Sequence, residues 1–464
     1  MTAAADSHSI KKFLEKRILL GRPLTSELTA ILLVYFVQGI LGLARLAVSF
    51  FLKDDLHLSP AEVAALTGVA SLPWTIKPLF GFLSDGLPIF GYRRRPYLVL
   101  SGFMGTAAWI VMATLVNTAW LATAMILLSS VSVAISDVIV DSLVVERARQ
   151  ESQSEAGTLQ SLSWGASAIG GLLTAYLGGL LLAQTSTRTV FAVTATFPLI
   201  VSIVAWLITE EPLRTPSSVK TVWCQVKQLK TAFSQREIWM PALFLFLWQA
   251  TPSGDSAFFF FTTNDLGFEP EYLGRVRLVT SLAALIGIAI FQRFLKVVPF
   301  RSIFAWSTVL SSLGGMTTLL LVTHANRSLG IDDQWFSLGD SAILTVMGQI
   351  AFMPVLVMSA RLCPAGIEAT LFALLMSIVN LAGLVSHELG ALLTHWLHVT
   401  ETDFSNLWLL VTVTNLTTLL PLPLLFLLPS TSASSNAGAI SGNEPLVELS
   451  EDDRATPEPA LSSP

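Results

Sequence analysis

Long apolar runs separated by short polar stretches make up most of the chain. About twelve runs reach the 18 or more residues needed to span a roughly 30 Å hydrocarbon core. They fall near 27–50, 61–82, 97–116, 119–145, 157–182, 188–209, 238–261, 271–292, 301–322, 336–360, 368–392 and 404–428. The pattern predicts an all-α polytopic membrane protein. A polar stretch at 210–237 divides six spans from six, so the expected layout is an N-terminal segment 1–26, a six-helix bundle 27–209, a central loop 210–237, a second bundle 238–428 and a tail 429–464. The tail is rich in Ser, Pro and acids, the composition of a disordered segment.

The two halves repeat. With an offset of 210, Phe51-Leu-Lys-Asp-Asp-Leu-His-Leu-Ser-Pro60 lies over Phe261-Thr-Thr-Asn-Asp-Leu-Gly-Phe-Glu-Pro270 without a gap, and Ser71 and Leu72 lie over Ser281 and Leu282. Glu155-Ala-Gly-Thr-Leu echoes Glu368-Ala-Thr-Leu. Parallel six-helix repeats about the membrane normal are the major-facilitator architecture, with substrate held between the halves. About twelve transmembrane helices in two pseudo-symmetric bundles are therefore expected. Duplication of this kind favours a carrier over a channel or a membrane enzyme.

Composition agrees. The chain is 53% hydrophobic and 13% charged, against about 25% charged in a soluble domain. The net charge of −5 comes from the tail, where Glu444, Glu448, Glu451, Asp452, Asp453 and Glu458 face Arg454. A near-neutral body points to lipid, not to nucleic acid. Cys224 and Cys363 imply no disulfide framework, and no signal peptide is read in the first 25 residues. With the N-terminus in the cytoplasm, twenty of the 27 Lys and Arg fall on the cytoplasmic side. Lys53, Arg188, Arg275, Arg277 and Arg327 fall on the other, and Arg45 and Lys77 lie within spans. This bias sets both termini inside.

Several blocks together resemble the folate-biopterin transporter family. They include Gln38-Gly-Ile-Leu-Gly-Leu-Ala-Arg45, Phe50-Phe-Leu-Lys-Asp-Asp-Leu56, Gly81-Phe-Leu-Ser-Asp-Gly-Leu-Pro-Ile-Phe-Gly-Tyr-Arg-Arg-Arg-Pro-Tyr97 and Ser136-Asp-Val-Ile-Val-Asp141 with Val145-Glu-Arg147. Thr251-Pro-Ser-Gly-Asp255, Asn264-Asp-Leu-Gly-Phe268 and Leu273-Gly-Arg-Val-Arg277 add the second half. The resemblance implies secondary transport of folates or pterins with proton coupling. It also implies a latch at the cytoplasmic ends of the halves, made by Asp85 with Arg93, Arg94 and Arg95, with Glu146 and Arg147 as partners. The bare alternative for the arginines is topogenic. After span 8 no Gly-x-Leu-Ser-Asp recurs, so any latch is asymmetric. The short N-terminus favours the inner cell membrane of a bacterium over a chloroplast envelope. Carriage of another organic anion, or a transporter-like receptor that binds without transport, are the alternatives.

Ionisable groups inside a span are costly and need a partner or a water-filled cavity. Arg45 and Asp255 occupy equivalent repeat positions, 210 apart, ~26 Å up their spans at ~1.5 Å per residue. Either they contact substrate, Arg45 taking a carboxylate and Asp255 a pterin edge, or they pair as an outer gate. Gln38 and Gln249 lie nearby and suit hydrogen bonding in the cavity or between helices. Asp137 and Asp141, four apart, share one face of span 4, with Lys77 at similar depth on span 2. They form either a proton site or a fixed charge cluster. Gly39, Gly42, Gly170, Gly171, Gly178 and Gly179 are expected to permit close helix packing. His387-Glu388 with His395 and His398 is not a compact ligand set, so no metal and no cofactor is expected. The lack of a nucleophile–base constellation argues against an enzyme. The expected partners are a small-molecule substrate, protons and the bilayer, with a monomer as the functional unit.

Overall fold

The computed structural model describes residues 23–148, 158–210, 212, 227, 230–231, 233–295, 298–361 and 368–428. The N-terminal stretch, most of the central loop and the tail lie outside these. Among the described residues, eleven helical segments are long and apolar enough to cross a membrane. They are span 1 (Ser26–Asp55), span 2 (Pro60–Ser84), span 3 (Arg95–Thr114), span 4 (Ala119–Val144), span 5 (Leu162–Gln184), span 6 (Thr187–Leu207), span 8 (Pro270–Leu295), span 9 (Phe300–Val322), span 10 (Asp333–Ser359), span 11 (Leu371–Trp396) and span 12 (Leu407–Leu427). Span 7 is the twelfth, and it is broken. Arg236–Gln249 stops, residues 250–254 are irregular, and Asp255–Phe260 resumes. Pro252 cannot donate to the helical ladder, and Gly254 favours an irregular backbone.

The repeat seen in sequence is a repeat in backbone. Span 1 breaks where span 7 does, between Ser26–Ile40 and Leu43–Phe50. Each then widens by one residue per turn over Phe51–Asp55 and Phe261–Asp265. The Leu56 N–H reaches the Phe51 carbonyl at 3.0 Å, and the Leu266 N–H reaches Phe261 at 3.1 Å. Spans 2 and 8 both start on a proline, Pro60 and Pro270, whose missing N–H costs nothing at a first helical position. In span 2 the Ser59 side chain and Glu62 close a reciprocal cap.

Many large apolar side chains face outward, as lipid contact allows, while others, Phe51, Phe191, Phe244 and Phe304 among them, are buried between helices. Trp120, Trp206, Trp239, Trp335, Trp396 and Trp408 are all exposed near span ends, the position of an aromatic belt. Small residues let some of the helices approach closely. A methyl on Gly39 would strike the Ser167 carbonyl, and one on Gly170 the Phe36 carbonyl, so spans 1 and 5 touch backbone to backbone. Gly171 does not follow the expectation for its own side chain, since a methyl there meets nothing within 4 Å.

The halves meet at the end that carries Lys53. A methyl on Gly179 of span 5 would lie 2.7 Å from the Gly274 Cα of span 8. Phe50 and Phe259 stack edge to face at 5.3 Å, and Lys53 Nζ donates to Asn264 Oδ1 at 2.8 Å. Spans 2 and 11 add a second seam, where Asn380 Nδ2 donates to the Trp74 carbonyl at 3.1 Å.

Candidate functional site

Span 2 is segmented by Pro73 and Pro78, which end one helical stretch at Thr75 and start another at Lys77. The break delivers the Lys77 ammonium to span 4, where it forms an ion pair with Asp137. Those two side chains are 20% and 13% exposed, so the pair is largely withdrawn from solvent. Asp141, one turn further on, accepts a hydrogen bond from the Tyr35 hydroxyl of span 1. Lys77 also lies over the Trp74 ring, 4.8 Å from its centre. The sequence placed Lys77, Asp137 and Asp141 together, and the structure assembles them. It adds Tyr35, which sequence reasoning missed. Its signal was a phenol inside an apolar run, which needs a partner when buried. A neutral phenol satisfies Asp141 without cancelling its charge, so the cluster carries one more carboxylate than cation.

Arg45 lies in the second segment of span 1 and Asp255 in the first turn of the second segment of span 7. These segments meet at Phe50 and Phe259. Arg45 and Asp255 therefore sit ~7 Å along their helices from that contact, one in each half. They form no ion pair with each other. Asp255 instead opens onto a cavity of about 650 Å³ within the second half. Asp340 of span 10 shares that cavity, accepting hydrogen bonds from Thr317 at 2.5 Å and Thr318 at 2.8 Å. Thr280, Ser281, Thr345 and Asn415 complete a polar lining. Sequence reasoning missed Asp340, whose signal was a carboxylate about one turn inside the apolar run 336–360. The break in span 7 is held by span 11, where Ser386 donates to the Thr251 carbonyl at 2.5 Å and accepts from the Ser253 N–H at 3.2 Å.

Gln38 faces away from this space. It lines a small crevice in the first half with Ser101, Ser132 and Ser136, and its buried amide nitrogen has no hydrogen-bond partner among the described residues. Gln249 is the last residue of its helix, half-buried, just before the break.

The triple-arginine turn is built around a residue the sequence did not single out. The carboxylate of Glu210, which follows span 6, accepts from the backbone N–H groups of Arg93 at 2.6 Å, Arg94 at 3.0 Å and Arg95 at 3.0 Å. An anion at a helix N-terminus satisfies unpaired donors and the helix dipole together. The Arg95 guanidinium donates to the Ile208 carbonyl at 2.7 Å and stacks between Tyr92 and Trp206, while Arg94 reaches Ser84 at 3.3 Å. The described contacts of Arg94 and Arg95 thus tie spans 2, 3 and 6 within one half. The side chains of Asp85, Glu146 and Arg147 lie outside the described residues.

The chain is similar to known proteins over most of its length. The model of the BT1 family matches residues 38–443. A folate-biopterin transporter of Synechocystis sp. is 62% identical over 424 residues, covering 91% of this chain and 86% of that protein. A probable folate-biopterin transporter of Arabidopsis thaliana is 36% identical, covering 84% and 80%. Folate transporter 1 of Plasmodium falciparum is 30% identical, covering 87% and 80%. Among solved structures, the nucleoside transporter NupG aligns with a TM-score of 0.65 at 13% identity, covering 86% of this chain and 98% of that one. The D-xylose-proton symporter aligns with 0.63 at 14% identity, covering 88% and 99%. Those two likenesses carry the fold, and it is the major-facilitator fold. With the family model spanning both halves and the repeat present in backbone, the chain belongs to the BT1 family of membrane transporters.

Proposed function

We propose that this protein is a secondary carrier of folates or pterins that works by alternating access and is coupled to protons. The observation that carries the reading is the division of charge at equivalent depth. Arg45, in one half, has no ion pair among the described residues, and Asp255 with Asp340 faces a polar cavity in the other. A pterin presents an amino-pyrimidine edge that donates to carboxylates, and a folate adds a carboxylate tail that suits a guanidinium fork. The names borne by the relatives support that substrate class. The Lys77–Asp137–Asp141–Tyr35 cluster is the proposed proton site, since its surplus carboxylate has a neutral partner. In the proposed orientation both termini are cytoplasmic in the inner cell membrane of a bacterium. The Lys53 end then faces outward and this state is closed to the outside.

The test is uptake of labelled folate, and of a labelled pterin, into vesicles containing the purified protein, with and without an acid-outside pH gradient. Accumulation above equilibrium, enlarged by the gradient, is expected. Saturable binding without accumulation sinks the carrier reading, and uptake indifferent to the gradient removes proton coupling.

A further inference from the structure

We propose that Arg45 and Arg277, one from each half, form a two-guanidinium clamp for a dicarboxylate, and that the tail of an anionic substrate fills it. The inference rests on the carrier reading above and adds a residue and a selectivity rule to it.

Four cations lie more than one helical turn inside a span: Arg45, Lys77, Arg275 and Arg277. Lys77 is paired with Asp137, and Arg275 with Glu271 at 2.5 Å. Among the described residues, Arg45 and Arg277 have neither an ion pair nor a side-chain hydrogen bond. The lysine-arginine count had assigned Arg277 to the outer side. In the structure it lies two turns down span 8, half-buried.

Neighbouring glycines bring the two arginines together. Gly178 of span 5 packs on the Leu43 carbonyl of span 1, and Gly179 packs on Gly274 of span 8. Arg45 follows Leu43 by two residues and Arg277 follows Gly274 by three, so both flank one crossing of three helices. The charge of Arg45 reaches Arg277 across this crossing. Two like charges at a seam between halves oppose its closure unless an anion joins them. Planar guanidinium forks bind carboxylates in pairs of parallel hydrogen bonds. The polar cavity lies alongside the same helix. Val276, Thr280 and Ser281 of the same helix line that cavity, and the Ser281 hydroxyl donates to the Arg277 carbonyl at 2.7 Å. A volume of about 650 Å³ lies within the ~300–1,000 Å³ range of small-molecule sites. A ligand with a pterin head in the cavity and a glutamyl tail at the seam meets both charge types. It also neutralises the repulsion that would otherwise hold the halves apart, so binding favours closure.

The test compares affinities of purified full-length protein for folic acid, for a pterin without a carboxylate, and for p-aminobenzoylglutamate, read by tryptophan fluorescence. Arg277→Gln is expected to lower the folate-to-pterin affinity ratio at least tenfold and to weaken p-aminobenzoylglutamate in parallel, with Arg277→Lys intermediate. A ratio unchanged within twofold in Arg277→Gln overturns the clamp. A wild-type arm needs no variant: p-aminobenzoylglutamate should displace folate, whereas its dimethyl ester should not. Equal competition by the diester also overturns the clamp, while leaving the folate reading intact. Wild-type protein that binds neither folate nor pterin overturns the carrier reading itself, and the clamp with it.

Discussion

Replacing Gly179 by alanine puts a methyl group into the contact that closes the Lys53 end. The added carbon would sit 2.7 Å from the Gly274 Cα and 2.9 Å from the Gly274 N, and it would also strike the Pro270 carbonyl. All three are backbone atoms, so no side chain can turn aside. Overpacking of this kind costs about 1–3 kcal/mol. The cost falls only on the state in which spans 5 and 8 touch. The equilibrium between closed and open arrangements of that end should therefore shift by about 5- to 150-fold. The readout is disulfide trapping between cysteines placed at Lys53 and Asn264, whose side chains are hydrogen-bonded at 2.8 Å, with Cys224 and Cys363 replaced by serine. Gly179→Ala should slow trapping at least fivefold. Gly171→Ala on the same helix is the control, because a methyl there meets nothing within 4 Å. Equal trapping in Gly179→Ala and the parent protein, or equal slowing in the control, would refute the idea that this crossing governs closure.

Two further outcomes follow from the polar contacts. Asp137→Asn breaks the largely buried ion pair of Lys77, and with Asp141 one turn away still balancing the ammonium the loss should fall below the ~3–5 kcal/mol of an uncompensated buried charge. Thermal unfolding in detergent should show it, and the double change with Lys77→Met should recover most of it. A double variant as unstable as the single would count against a charge-pairing role. Glu210→Ala removes the acceptor for three backbone N–H groups at the start of span 3, at a cost of about 1–2 kcal/mol. Glu210→Gln should retain part of it, and faster proteolysis of the 87–95 turn in Glu210→Ala is the measurement that checks it.

The sequence by itself determined the spans, their number and the register of the repeat. Each of these is a local property: a stretch of apolar residues must satisfy its own backbone in lipid, although the run 238–261, read as one span, is broken at 250–254 in the structure. It also placed Lys77 near Asp137 and Asp141, because an unpaired charge in a span must find a partner. Tertiary structure alone decided which faces meet. Tyr35 finds Asp141 across 106 residues and Glu210 finds Arg93 across 117. Arg45 and Asp255, at equivalent positions of the repeat, form no ion pair with each other. The physical reason is rotational. Helices in lipid are set about their axes by the small residues that let backbones approach, here Gly39, Gly170, Gly178 and Gly179. That rotation, which no single span encodes, chooses the partner of every polar side chain in the bundle.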